Sequence, residues 1–225
     1  MYAKCLKRLF DLLLSLLALS LLSPLLLLLS LIGAVAMRGN PFFVQLRPGK
    51  GERIFRLVKF RTMTNARDKA GNLLPDEKRL TAYGKFLRAT SLDELPELFN
   101  IFIGQMAIVG PRPQLVRDMV FMTKEQRVRH TVRPGLTGLA QVMGRNNISW
   151  EKKLEYDLQY IAKITPWGDI KILFLTVFRV LKREDTVREG TVSDIDFGDY
   201  LLEKGEVTEA EYAEKQEKAK ELMGV

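Results

Sequence analysis

The sequence predicts an α+β fold that is mainly helical, with an N-terminal re-entrant membrane helix, a small β-hairpin and interfacial amphipathic helices. Three observations predict this class. Residues 12–37 form 26 consecutive positions without a charge, 14 of them leucine. Two β-rich segments then flank the turn-like sequence "RPGKG". Most of the remaining chain has helical spacing of apolar residues, with recognisable helix starts and stops.

The apolar run would span a bilayer as a straight helix, reaching roughly 39 Å against a core of about 30 Å. Basic residues on both sides of the run argue against spanning, because both ends then favour the cytoplasmic side. Pro24 cannot bond to the carbonyl of Ser20, and the hydroxyls of Ser20 and Ser23 lie near enough to repair the gap. A break at Ser23-Pro24 leaves arms of about 18 and 20 Å, each too short to cross. Residues 1–38 are therefore predicted to form a re-entrant membrane helix.

A cleaved signal peptide is a further interpretation of the N-terminus, since "AVA" at residues 34–36 mimics a cleavage site. The apolar region, about 22 residues, exceeds the usual 7–15 of such peptides. The re-entrant helix is therefore preferred over the signal peptide.

Residues 39–183 are predicted to form a catalytic domain on the cytoplasmic face of the membrane. A hairpin comes first, and helices are expected over residues 77–89, 91–104, 123–132, 149–164 and 167–182. The helix over 91–104 is expected to begin with a capping box between Ser91 and Glu94, although Pro96 moves its start one or two residues further on. The helix over 167–182 is typical of a membrane interface and of a buried core alike.

Residues 184–225 form an acidic C-terminal extension, with 13 acidic and 5 basic residues. Thr208 heads a T-x-x-E capping box and Gly224 suits a helix stop, so a solvated helix is predicted between them. Two roles stay open for the extension. It either pairs two chains into a homodimer or folds back on the basic body.

Composition limits the chemistry that the chain can perform. The formal net charge is +8, which indicates an anionic partner such as a phosphorylated substrate, a lipid surface or nucleic acid. The single cysteine, Cys5, excludes an internal disulfide, and the single histidine, His130, leaves too few soft ligands for zinc. Catalysis would therefore depend on carboxylates, hydroxyls, lysines, arginines and a hard metal ion held by oxygen.

The densest functional signal is "RATSLDEL", in which Asp93 and Glu94 are adjacent at an expected helix start. Acidic residues in a first turn commonly serve only the helix end. Neighbouring helical residues point about 100° apart, however, so the two carboxylates suit different tasks better than a shared proton. One could hold a divalent ion while the other, ionised at the helix start, approaches a substrate.

Two further segments are candidates for anion binding. Arg112 lies between Pro111 and Pro113, and a rigid loop that presents a guanidinium suits phosphate. "GLTGLAQVMGR" places Gln141 and Arg145 among glycines. Inert turns and ordinary glycine-rich connections give the same patterns, so neither segment is decisive alone.

Together these segments resemble the monotopic phosphoglycosyl transferases, or bacterial sugar transferases, of the minimal type. The resemblance runs in order through "KRLFDLLLSLLALSLLSPLLL", "RPGKGERIFRLVKFRTM", "GKFLRATSLDELPELFNIFIGQMAIVGPRPQL", "RHTVRPGLTGLAQVMGRN", "ISWEKKLEYDLQYI" and "LKRED", or about residues 1–185. Several independent motifs in register make chance resemblance improbable. The interpretation of Asp93 and Glu94 as mere helix-end residues therefore loses most of its weight.

The resemblance implies transfer of a phosphosugar from a UDP-sugar to a polyprenol phosphate, with undecaprenyl phosphate as the expected acceptor and UMP as the product. It implies that Asp93 attacks the sugar-linked phosphorus to form a covalent aspartyl-phosphosugar, while Glu94 helps to hold Mg²⁺. It also implies that Lys59, Arg88, Arg112, Gln141 and Arg145 line the phosphate and nucleotide site. The expected location is the cytoplasmic face of a bacterial inner membrane, in one leaflet and in contact with membrane lipid.

Two competing functions fit parts of the sequence. A non-catalytic membrane-surface adaptor that binds anionic lipid fits the charge and the anchor, but it gives Asp93 and Glu94 no task. A nucleic-acid binder fits the net charge, but the chain has no recognisable binding module or aromatic platform, so no nucleic-acid partner is expected. The motifs do not identify the sugar.

Overall fold

The computed structural model describes residues 2–144, 148–182 and 195–224. Its helices are α1 (Lys7–Ala36), α2 (Asp76–Arg79), α3 (Ala82–Thr90), α4 (Glu97–Phe102), α5 (Val116–Met119), α6 (Lys124–Arg127), α7 (Leu139–Gly144), α8 (Trp150–Ala162), α9 (Pro166–Lys182), α10 (Phe197–Glu203) and α11 (Glu209–Met223). Its strands are β1 (Phe42–Pro48), β2 (Ile54–Phe60), β3 (Ala107–Val109) and β4 (Gly135–Thr137). The described chain is mainly helical with two small sheets, which confirms the α+β class.

The apolar run forms a single continuous helix, α1, with Pro24 inside it. Among the described helices, α1 alone is long and apolar enough to cross a membrane. The predicted division into two helices at Ser23-Pro24 is wrong, because the missing hydrogen bond is replaced within the helix. The Ser23 hydroxyl donates to the Ser20 carbonyl at 2.9 Å. The predicted repair is thus confirmed, and the re-entrant path stays a prediction.

Helix α1 contacts the rest of the protein near both of its ends. Near its start, the Arg8 guanidinium donates to the carbonyls of Ile101 and Phe102, each at 2.7 Å. Near its end, the Leu29 carbonyl accepts a hydrogen bond of 2.7 Å from the Tyr83 hydroxyl. These contacts lie more than 20 residues apart along one helix, so α1 is laid along the body and does not project from it.

The predicted hairpin is confirmed: β1 and β2 are antiparallel, with Phe42 opposite Phe60. Alternate residues of a strand share a face, so Lys59 projects from the same face as Phe55 and Leu57. Those two apolar side chains are buried in one cluster with residues of α4. The strand therefore aims the Lys59 ammonium at the segment that carries the candidate carboxylates.

Strands β3 and β4 form a short parallel pair, which the sequence analysis did not predict. The Gly110 amide donates to the Thr137 carbonyl at 2.8 Å, and the Gly135 amide donates to the Pro111 carbonyl at 2.9 Å. A Cβ added at Gly135 would lie 2.1 Å from the Gly110 nitrogen, and one at Gly138 would lie 2.2 Å from the Gly110 oxygen. The glycines of "RPGLTGLA" are thus needed for close approach of two backbones.

Helix α9 exposes a broad apolar face. Its exposed apolar side chains are Trp167, Ile170, Phe174, Val177 and Phe178, with Trp167 79% exposed and Phe174 71% exposed. On the opposite face Asp169 and Ile172 are buried. A buried core helix would not expose such residues, so that alternative is wrong. The exposed face is typical of a helix that lies in a membrane interface.

The described part of the acidic extension packs against the body through apolar side chains. Phe197 and Leu201 of α10 share a core cluster with Phe121 and Trp150. Ala219 of α11 is buried in another cluster with residues of α5. Of the two roles left open for the extension, folding back is therefore confirmed, and pairing of two chains stays a prediction.

Helix α11 begins and ends as predicted, but it is not solvated on all sides. The side chain of Thr208 accepts from the Glu211 amide in the expected capping box, and Gly224 ends the helix with φ at 72°. Because part of the helix docks on α5, it is not the freely solvated element that the composition indicated.

Candidate active site

Asp93 and Glu94 lie in a single 3-10 turn, Leu92–Glu94, that connects α3 to α4. Ser91 adopts a left-handed conformation with φ at 55°, which redirects the chain sharply at the end of α3. The predicted capping box between Ser91 and Glu94 is wrong, because Ser91 makes no capping bond and α4 begins only at Glu97. In a 3-10 turn, consecutive side chains diverge by about 120°. The two carboxylates therefore meet different surroundings.

Glu94 is held by two cations. The Lys59 ammonium lies 2.8 Å from Glu94 Oε1, and the Arg112 guanidinium lies 2.7 Å from the same oxygen. Burial would raise the pKa of Glu94, but attraction to Arg112 and Lys59 outweighs it and holds that pKa far below its usual range. Attraction to Glu94 in turn raises the pKa of Arg112. Glu94 is thus a permanently ionised group at neutral pH.

Asp93 differs from its neighbour because nothing in the described chain is bonded to its carboxylate. It accepts no hydrogen bond from the described residues and lies in none of their ion pairs. Burial and repulsion from Glu94 raise the pKa of Asp93 to about 6, against the attraction of Lys59, Arg112 and Arg88. At neutral pH Asp93 is therefore mostly ionised, more basic than an ordinary carboxylate and free to react.

A third carboxylate, Glu97, belongs to the same cluster and was missed from the sequence. Its side chain is 2% exposed, and its Oε1 lies 3.0 Å from the Lys59 ammonium. Burial raises the pKa of Glu97 to about 7, although attraction to Lys59 opposes the rise. The spacing in "DELPEL" places Glu97 three residues after Glu94, and an acidic residue facing the core was the signal that could have found it.

The loop that carries Arg112 is fixed at three consecutive carbonyls. The Gly135 amide holds the Pro111 carbonyl at 2.9 Å, the Arg129 guanidinium holds the Arg112 carbonyl at 2.6 Å, and the Arg47 guanidinium holds the Pro113 carbonyl at 3.1 Å. The donors come from three separate parts of the chain. The predicted rigidity of Pro-Arg-Pro thus has a tertiary cause beside the two proline rings.

Arg129 is itself anchored in the interior. Its side chain is 2% exposed and pairs with Asp157 of α8 at 2.7 Å. Removing either partner of such a buried pair would leave an uncompensated charge. Neither residue was singled out from the sequence, because an isolated Arg or Asp gives no sign that it will be buried. Their effect at the site is to position the backbone of Arg112.

The remaining predicted site residues have different outcomes. Arg88 lies close enough to Asp93 to lower the pKa of that carboxyl, and its Nε donates to the Thr62 hydroxyl at 3.2 Å. Gln141 donates to the Leu136 carbonyl at 3.1 Å, and its buried Oε1 has no hydrogen-bond partner in the described chain. Arg145 lies outside the described residues. The structure thus gathers Lys59, Arg88 and Arg112 around the two carboxylates and leaves Gln141 apart from their direct contacts.

The donor chemistry of the site fits Mg²⁺ bound together with a phosphorylated substrate. Within the described ranges, no group of three or more His, Cys, Asp or Glu side chains forms a metal cage. Mg²⁺ needs no such cage, since one or two carboxylates suffice when substrate phosphates and water supply the other ligands. Both cations on Glu94 contact Oε1. Oε2 of Glu94 and the carboxylate of Asp93 are therefore the oxygens available to the ion.

Sequence comparisons with known proteins find a family model and several relatives. A family model described as bacterial sugar transferase matches residues 2–183. The uncharacterized sugar transferase EpsL of Bacillus subtilis is 48% identical to this chain over 179 residues, which cover 80% of this chain and 89% of that protein.

Two relatives with described activities are longer. The UDP-glucose:undecaprenyl-phosphate glucose-1-phosphate transferase of Klebsiella pneumoniae is 42% identical, over 77% of this chain and 39% of that protein. The undecaprenyl-phosphate galactose phosphotransferase of Salmonella typhimurium is 35% identical, over 81% of this chain and 42% of that protein. The chain thus spans about two fifths of the length of these relatives.

Proposed function

Because this chain belongs to the bacterial sugar transferase family, we propose that it moves a phosphosugar from a UDP-sugar to a polyprenol phosphate, undecaprenyl phosphate in particular, and releases UMP. The observation that carries the proposal is the division between two adjacent carboxylates. Glu94 is held by Lys59 and Arg112, whereas Asp93 is unbonded within the described chain and has a pKa of about 6. A nucleophile must be ionised, unengaged and surrounded by positive charge if it is to approach a diphosphate.

In the proposed first step, an oxygen of Asp93 attacks the sugar-linked phosphorus of the UDP-sugar. The bond between that phosphorus and the bridging oxygen breaks, and the bridging oxygen leaves on UMP. The product on the enzyme is an acyl phosphate between Asp93 and the phosphosugar. The cations of Arg112, Lys59 and Arg88 reduce the repulsion between the carboxylate and the diphosphate. Mg²⁺, bound through Glu94 and the substrate phosphates, would add further neutralisation of the leaving group.

In the proposed second step, an oxygen of the polyprenol phosphate attacks the same phosphorus. The bond between Asp93 and phosphorus breaks, so the carboxylate is restored and a polyprenol diphosphosugar is released. Neither step needs a histidine, since the nucleophile and the acceptor are both already ionised. This agrees with the location of His130, which is buried beside Arg129 rather than at the two carboxylates.

We further propose a monotopic position at the cytoplasmic face of the bacterial inner membrane. Helix α1 is apolar and exposed on one side, yet Arg8 near its start and Leu29 near its end both bond to the folded body. A helix held in this way cannot place its two ends on opposite sides of a bilayer. The exposed apolar face of α9, with Trp167 and Phe174, provides a second surface for the same leaflet.

The test uses purified protein in nanodiscs with a panel of UDP-sugars, with and without undecaprenyl phosphate. Without acceptor, wild-type protein should release about one equivalent of UMP and retain the label of a radioactive sugar on the chain. Asp93→Asn should do neither, because asparagine is not nucleophilic. Asp68→Asn is the matched control, since Asp68 is exposed in a turn whose backbone amides an asparagine can also bond. Equal label and UMP from Asp93→Asn and Asp68→Asn would exclude Asp93 as the nucleophile. Absence of label and UMP from wild-type protein with every UDP-sugar would leave the lipid-binding adaptor.

A further inference from the structure

An apolar groove runs between α1 and the body, beside the catalytic turn. Its volume is about 440 Å³, within the range of roughly 300–1,000 Å³ that ligand pockets occupy. One wall is α1 between Leu19 and Ser30, and the other consists of Phe42, Phe60 and Phe99 with Pro96. These walls come from three separate parts of the chain, so the groove is a product of the tertiary fold.

Small side chains on α1 keep the groove open. Ser20, Ser23 and Ser30 lie along it among leucines. Their hydroxyls donate to carbonyls one turn earlier in the same helix, at 2.9, 2.9 and 2.7 Å. The polar hydrogens are therefore consumed within α1. In the groove wall the serines are therefore small residues that offer no free hydrogen-bond donor, which suits an apolar ligand.

One wall of the groove includes the segment that follows the catalytic turn, since Pro96 lies two residues after Glu94. Phe60 of the same wall directly follows Lys59 in β2, and adjacent strand residues face opposite ways, so Phe60 lines the groove while Lys59 bonds to Glu94. The α1 wall is open to the surroundings, with Leu27 62% exposed. The groove thus lies between a surface suited to lipid and the segments that carry the cations and the unbonded carboxylate. Its matching ligand has a long apolar chain that ends in a phosphate.

We propose that this groove binds the isoprenoid chain of the polyprenol phosphate acceptor and delivers its phosphate to the phosphosugar on Asp93. This inference rests on the proposed function. A membrane phospholipid is the other source of a chain with a phosphate, but its phosphodiester carries a second substituent and cannot serve as the acceptor. A phosphomonoester presents its unsubstituted oxygens to the cations and to the reacting phosphorus together. The groove therefore governs the second step of transfer and leaves the first step unaffected.

A matched pair of variants on α1 tests this assignment. Leu27→Trp fills the groove, whereas Leu21→Trp makes the same change at a 70% exposed position outside the groove lining. Formation of the labelled phosphosugar enzyme without acceptor should be equal in both. With undecaprenyl phosphate, the KM of Leu27→Trp should rise on the order of tenfold while that of Leu21→Trp stays at the wild-type value. With a two-isoprene phosphate as acceptor, the two variants should have the same KM.

If the first step proceeds in both variants and their KM values for undecaprenyl phosphate are equal, the assignment of the groove is overturned. Absence of labelled enzyme and of UMP in wild type would instead overturn the proposed function. A second measurement does not depend on any variant: a polyprenol phosphate with a photoreactive group in its chain is crosslinked to wild-type protein. Crosslinks at Leu27 or Phe99 that unlabelled acceptor removes, and that excess phosphatidylglycerol does not, support the assignment. Crosslinks confined to α9, or removed by phosphatidylglycerol, overturn it.

Discussion

Asp93→Asn should abolish transfer and at the same time make the folded protein more stable at neutral pH. Burial and repulsion from Glu94 raise the pKa of Asp93 from 3.8 to about 6. A raised carboxyl pKa stabilises the fold below pH 3.8, and this stabilisation is lost as the pH rises through 6. At pH 7.5 the ionised Asp93 is therefore unfavourable to folding. Asparagine has nearly the same shape and carries no charge, so it removes the penalty.

The size of the effect follows from the pKa. A rise of about two units corresponds to roughly 3 kcal/mol in the free energy of unfolding, and contact of Asp93 with solvent reduces this to about 1–2 kcal/mol. For a chain of this length, about 1 kcal/mol moves the unfolding temperature by roughly 2–4 °C. Asp93→Asn should thus unfold about 2–8 °C above wild type at pH 7.5. At pH 4.5 most of Asp93 is protonated in the folded state, so the difference should fall to roughly a third.

Glu94→Gln provides the control with the opposite sign. Burial would raise the pKa of Glu94, but Arg112 and Lys59 hold it well below the usual value. A lowered carboxyl pKa stabilises the fold above the unfolded pKa, and this stability disappears as the pH falls through the folded pKa. Glutamine leaves two cations without their partner, so Glu94→Gln should lose about 2 kcal/mol or more at pH 7.5.

Thermal unfolding in detergent, followed by intrinsic fluorescence at pH 7.5 and 4.5, measures both variants. Both should fail to release UMP, so activity alone would not separate them. If Asp93→Asn unfolds below wild type at pH 7.5, or if its gain is the same at both pH values, Asp93 is not held in an unfavourable ionised state. That result would refute a raised pKa as the cause of the reactivity of Asp93.

Three further changes test the surrounding structure. Arg129→Lys should lower kcat about tenfold or more, because an ammonium lacks the planar fork in which Nε and Nη2 both hold Asp157 while Nη2 also holds the Arg112 carbonyl; an unchanged kcat would show that the loop is rigid without the clamp. Phe197→Ala should cost about 3–5 kcal/mol of stability, measured by thermal unfolding, whereas a loose tail predicts no change. Ser23→Ala with Pro24→Leu should leave the N-terminus on the cytoplasmic side, because Arg8 and Leu29 still bond to the body; labelling of an N-terminal cysteine from the periplasmic side in this variant would contradict this.

Some parts of the fold were predictable because their signals are local. The hairpin around "RPGKG" and the helix headed by Thr208 both formed as expected, since turn residues and caps act over a few positions. The start of α4 was not predicted correctly. Ser91 and Glu94 fit the local pattern of a capping box, but the left-handed backbone at Ser91 and the pairing of Glu94 with distant cations took its place.

The course of the membrane helix, like the start of α4, could not be predicted from a local pattern. Pro24 was expected to divide the apolar run, because proline removes one hydrogen bond of a helix. The structure keeps a single helix, since Ser23 supplies a substitute bond within the same turn. Contacts of Arg8 and Leu29 with distant residues hold the helix along the body. The pattern of apolar residues in the run does not show which distant residues those partners are.

By itself, the sequence determined which residues could react: two adjacent carboxylates in a basic chain with one histidine and one cysteine, where motif order resembled one family. Only the tertiary structure decided which carboxylate is free. Lys59 and Arg112 come from segments 35 and 18 residues away from Glu94 and bond to it, and they leave Asp93 unbonded within the described chain. The physical reason is that charge, burial and a missing hydrogen bond depend on neighbours in space. A sequence shows only which residues are neighbours along the chain.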